Sequence, residues 1–171
     1  MAVKRNRILI RTGALLFIAF PLLYFGYFVY IGMVWGTADR LILLFVSDGL
    51  FLLFLAVGFG LWKYKAWSWW LGVILFTQFF IAKIISLFVN FLLVQTENID
   101  GQFNLEQVAV EVIYLLFFMT VLILFRWKPV KDLLEVTFNW RKHLWRIAVS
   151  AILLYMLHLL LMILILTVVP A

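Results

Sequence analysis

The chain contains no cysteine among its 171 residues, which excludes a disulfide framework, thiolate metal sites and thiol catalysis. Charge is scarce too. Only 13% of residues are Asp, Glu, Lys or Arg, where a soluble domain carries about 25%. That scarcity excludes an ordinary water-soluble fold, and a 67% hydrophobic content excludes disorder. Histidine occurs twice, at His143 and His158, so a haem clamp or a multi-histidine metal centre has too few ligands. No H-E-x-x-H, G-x-S-x-G, paired-aspartate metal motif or phosphate-binding glycine loop is present. The expectation is a protein that is not an enzyme and that has no cofactor and no metal.

What the sequence does have is long apolar runs. A helix crossing a bilayer needs roughly 20 mostly apolar residues, at about 1.5 Å rise each. Five segments qualify, at about 12–35, 41–62, 66–94, 108–125 and 147–169. They are apolar all round, without the alternation of a barrel strand, so the class is all-α with five transmembrane helices in one domain. The first run follows Lys4, Arg5, Arg7 and Arg11 but is too long for a signal-peptide core, and Pro21 is the expected place for a bend in it.

The net charge of +6 has a direction. Twelve of the 14 Lys and Arg residues fall in the N-terminal segment, the Lys63–Lys65 turn and the stretch from Arg126 to Arg146. The alternate loops hold Asp39, Glu97, Asp100 and Glu106. Basic residues flanking apolar runs indicate lipid rather than nucleic acid. The positive-inside rule then sets the N-terminus in the cytoplasm and the C-terminus outside, for a multi-pass protein of the cytoplasmic membrane. Asp100-Gly101 predicts a turn, and Asn104 with Gln107 a capping-box-like start of the fourth helix. The connector 126–143 alternates Val130, Leu133, Leu134, Phe138 and Trp140 with charged residues, which predicts an amphipathic helix on the inner leaflet. Trp62, Lys63, Lys65 and Trp67 read as an interfacial anchor. Glycines four apart at Gly32/Gly36, and the small pair Ala56/Gly60, permit close helix contact of the kind dimers use.

Ionisable groups inside spans are costly and therefore informative. Asp48, Lys83, Glu111 and His158 come from four different helices and share one depth band, from the outer half to the midplane. They predict a single polar cluster, joined by Asn90 from the Lys83 face and by Tyr27 from the tyrosine arc Tyr24, Tyr27 and Tyr30. One reading makes the cluster an ion pair that sets helix register. The other makes it a ligand or proton site, with Lys83 for an anionic group and His158 for a proton.

The stretch from Gly58 to Leu71, with its glycine-rich helix end, basic turn and tryptophan-led next helix, resembles a recurrent helix-turn-helix of small uncharacterised prokaryotic membrane proteins. The run from Phe125 to Lys131 is similar to their exit after a fourth helix. The fifth span and the connector depart from that four-helix pattern, and the resemblance implies no activity. The leading expectation is a non-catalytic component of a larger membrane assembly, with the lipid bilayer and a protein partner or further copies of itself as partners. The alternative is a small transporter or substrate-binding subunit using the polar cluster.

Overall fold

The computed structural model describes residues 2–36, 41–95 and 105–168; Asp39 and the acidic loop with Asp100-Gly101 and Asn104 lie outside them, as does the side chain of Gln107. Among the described residues all regular structure is helical. The order is α1 (Ala2–Trp35), α2 (Leu41–Ser47), a 3-10 turn (Gly49–Leu52), α3 (Leu53–Trp62), α4 (Ala66–Gln95), α5 (Leu105–Arg126), α6 (Lys128–Leu133) and α7 (Trp140–Val168). Helices α1, α4, α5 and α7 are each long and apolar enough to cross a membrane. The segment from Leu41 to Trp62 makes a fifth only as a pair bent by 67°. This is the helix set of a multi-pass membrane protein, in which hydrocarbon forces each backbone group to find its partner within the chain.

The broken span is not the one that contains the proline. α1 runs unbroken through Pro21, which is fully buried. The interruption lies instead at Asp48-Gly49, inside the run read from sequence as one span. There the Phe51 amide turns back to the Asp48 carbonyl at 2.8 Å, in 3-10 fashion. The α-helical ladder ends one residue earlier, with the Asp48 amide on the Leu44 carbonyl. Glycine at 49 lowers the cost of leaving the helix, since it gains least from helical order.

α3 and α4 form the centre. α1 packs on α3, while α5 and α7 both pack on α4. Buried Phe54, Val57, Leu61, Trp69, Leu75 and Phe76 make the core between them. The α1–α3 crossing is close because position 58 has no side chain. A Cβ there would stand 2.6 Å from Ile18 and 2.9 Å from the Ala14 carbonyl oxygen. Gly60, which abuts Ser68 and Trp67, likewise serves packing within the chain.

Between α5 and α7 the connector is helical only over Lys128–Leu133, and no single helix runs its whole length. Its apolar residues fold back under the bundle instead: Leu134 is fully buried, and Val130, Leu133, Val136 and Phe138 pack on the core. A Schellman-type end makes the reversal. The Val136 amide bonds to the Lys131 carbonyl at 2.9 Å, and Glu135 takes a φ of +53°. α7 then starts seven residues before the predicted span, capped by Asn139, whose Oδ1 accepts from the Arg141 amide at 3.2 Å.

Candidate functional site

The ionisable side chains of the spans are each held at a helix contact. Lys83 on α4 reaches Glu111 on α5, with its Nζ 2.9 Å from Oε1 and 2.8 Å from Oε2. The ammonium also sits 4.8 Å from the centre of the Tyr114 ring, one turn along α5. Position 83 lies 12 residues from the end of α4, about 18 Å by helical rise. At that depth the pair masks two charges that hydrocarbon would otherwise penalise.

Asp48 does not join Lys83. Its Oδ2 accepts a 2.6 Å hydrogen bond from the Tyr24 hydroxyl of α1. Tyr27, the tyrosine expected in the cluster, is 60% exposed and stacks edge-on with Phe28 instead. His158 lies elsewhere again. Its Nε2 stands 3.1 Å from the Val46 carbonyl oxygen and 2.9 Å from that of Ser47. Both partners are acceptors, so Nε2 carries the proton. These carbonyls are the ones the helix break releases, and α7 supplies the donor that membrane interior denies them. Asn90 is exposed on α4 and takes no part in any of these contacts.

The expected single cluster is therefore three separate contacts, one each at the α4–α5, α1–α2 and α2–α7 interfaces. A relay of rings lies between the first two: Tyr24 to Phe51 (5.4 Å), Phe51 to Phe79 (5.6 Å), Phe79 to Phe118 (5.7 Å) and Phe118 to Tyr114 (6.4 Å). Aromatic packing across α1, the 3-10 turn, α4 and α5 fills the volume that a shared polar pocket would need. Among the described residues no three His, Asp or Glu side chains converge as metal ligands.

One polar residue escaped the sequence reading. Gln78 on α4 is 2% exposed, and its Oε1 has no hydrogen-bond partner. An amide carries no formal charge, so a search for charges in apolar runs passes over it. In the antiparallel α3–α4 pair Gly60 abuts Ser68 and Gly72 abuts Val57, a register that sets Gln78 level with the 3-10 turn.

One extended concavity is apolar. α1 packs on α3 and α5 on α4, leaving a groove between α1 and α5 with a volume of about 770 Å³. Its walls include Leu16, Phe20, Phe117 and Val121, and Phe54 and Phe76 line its depth. It runs from Asn6 to Leu23 along α1, and α6 touches both walls where Trp127, Pro129 and Val130 line it. This is the basic end of the bundle. There Arg11 lies over the Trp62 and Tyr64 rings, and Trp70 packs on His143. Trp62, Lys63, Lys65 and Trp67 are all exposed at this end, whereas Trp69 is fully buried and donates from Nε1 to the Phe125 carbonyl at 2.6 Å. The indoles of one turn thus divide between surface and core. Neither family models, nor curated proteins, nor solved structures give a match to this chain.

Proposed function

We propose that this is a non-catalytic component of a larger membrane assembly, held in the cytoplasmic membrane by five spans with the N-terminus inside. The observation that supports this reading is that the ionisable side chains of the spans are engaged in bonds between the chain's own helices. Polar groups used in this way hold helices in register and contribute specificity. Contact with a partner then falls to the apolar outer faces of α5 and α7, since only 6% of the most apolar stretch of each lies buried within the chain. The bent pair fits as the second span if the bilayer adapts. Its 14 residues from Gly49 and seven-residue α2 reach about 25 Å along the membrane normal, against a core of about 30 Å.

The test is purification from native membranes in mild detergent, followed by native mass spectrometry. Protein partners in fixed stoichiometry, retained when Lys83→Met and Glu111→Leu are combined, are the expected result. A chain that emerges alone under every mild condition overturns the assembly reading.

The second reading, a small carrier, draws support from the broken helix. Transporters bind substrates and ions at interrupted spans, and here Asp48 and buried Gln78 share the level of the break. Proteoliposomes that show proton or solute flux abolished by Asp48→Asn would favour this reading over the first.

A further inference from the structure

We infer that the groove between α1 and α5 seats an acyl chain of an anionic phospholipid, taken from the leaflet at the basic end of the bundle. The shape of the groove suits a flexible chain. From Asn6 to Leu23 it follows α1 for about 26 Å. It holds about 770 Å³, the scale of a pocket that buries a small molecule. An acyl chain fits inside it. The length exceeds one leaflet's share of the hydrocarbon core, about 15 Å, so a chain entering at the basic end lies along it in full.

The charge at the mouth selects the headgroup. Lys128 is exposed between Trp127 and Pro129, both of which line the groove. Arg7 is exposed on α1, three residues before the lining residue Ile10 and beside the lining residue Asn6. Arg7 on α1 and Lys128 on α6 thus each adjoin lining residues at the basic end, from two different helices. Asn6 adds an uncharged hydrogen-bonding side chain, and Trp127, 46% exposed, is a ring suited to headgroup depth. The acids of this end, Asp132 and Glu135, come later in the connector and adjoin no residue that lines the groove. At the far end, where Tyr114 lines the groove, Lys83 is already engaged by Glu111.

Gly13 permits a clean test. It lines the groove, yet a Cβ at that position meets no atom within 4 Å, so a side chain can start into the groove from there without a clash at its root. Gly26 on the same helix is equally open but does not line the groove, and it serves as the control. The full-length protein is reconstituted in nanodiscs of equal phosphatidylglycerol and phosphatidylcholine with matched chains. It is then released into mild detergent, and retained lipids are counted by native mass spectrometry.

The wild-type protein is expected to retain phosphatidylglycerol over phosphatidylcholine by at least fivefold. Arg7→Gln with Lys128→Gln brings the ratio towards one, at about fivefold per cation from roughly 1 kcal/mol each. Gly13→Trp lowers retention of both lipids severalfold, and Gly26→Trp leaves it unchanged. Gly13→Leu replaces Gly13→Trp if the larger variant elutes as aggregate. Equal retention of the two lipids by the wild type overturns the headgroup assignment. Undiminished lipid on the Gly13 variants, or a polypeptide found in place of the lipid, overturns the occupant. None of these outcomes depends on the assembly, because the experiment uses the isolated chain.

Discussion

Replacing Glu111 with leucine leaves the Lys83 ammonium in the bilayer without its counter-charge. A lysine near the centre of a membrane helix costs about 2.5–3.5 kcal/mol on insertion scales. Removing one partner of a desolvated pair costs about 3–5 kcal/mol in soluble proteins. The Lys83 side chain is 32% accessible and Glu111 15%, and the four-carbon stem of Lys83 lets its head move towards headgroups. Both facts favour the lower end, so Glu111→Leu should destabilise by about 3 kcal/mol, a factor of about 150 in the folding constant. Lys83→Met should cost a similar amount, since a carboxylate is then stranded. The combined variant should fall within about 1 kcal/mol of wild type, because an apolar pair replaces a desolvated one of similar volume. The assay is reversible unfolding in bicelles, read as a double-mutant cycle. Single losses of about 3 kcal/mol each and a double loss of at most about 1 kcal/mol make the expected coupling about 5–6 kcal/mol. Additive single effects would refute the reasoning, because they would mean that the two side chains do not meet in the membrane.

His158→Phe strips the donor from the Val46 and Ser47 carbonyls and should destabilise by about 1–2 kcal/mol, with faster amide exchange at residues 49–51 and partial rescue by His158→Gln. Exchange that rises equally along all helices would contradict a local role at the break. Gly58→Ala forces α1 away from α3 at a contact made by backbone, and a loss of about 1–3 kcal/mol is expected in the same bicelle assay; no loss would mean that the crossing is looser than 2.9 Å. Glu135→Gly relieves a left-handed residue at the end of α6 and should stabilise by about 1 kcal/mol. A destabilised variant would show that the Glu135 side chain holds the connector by some other means.

The long apolar runs and the charge bias between loops are local properties of the chain, so helices α1, α4, α5 and α7 were legible residue by residue. The Lys83–Glu111 pairing was one of the contacts expected among four ionisable residues, and complementary charges in low dielectric have few other solutions. The choice between Tyr24 and Tyr27 was not legible. They lie three positions apart on one arc, and only the direction in which α1 meets the 3-10 turn decides which hydroxyl reaches Asp48. Gln78 was missed for want of charge, and the connector was misread because alternating polarity describes a surface helix and a segment folded under a bundle equally well. Leu134 distinguishes the two by being fully buried.

Composition and hydropathy alone determined that this chain is helical, that it belongs in a bilayer and which ends of its helices are basic. Those properties follow from the cost of exposing backbone groups and charges to hydrocarbon, a cost that each segment bears by itself. Packing decided the rest: the break at Asp48, the histidine that caps it, the division of one polar cluster into three contacts and the groove between α1 and α5. Each of these depends on which helix faces meet. In lipid that choice is made by shape, by small residues such as Gly58 and by scattered polar groups, because apolar faces gain little from each other that lipid tails do not already supply.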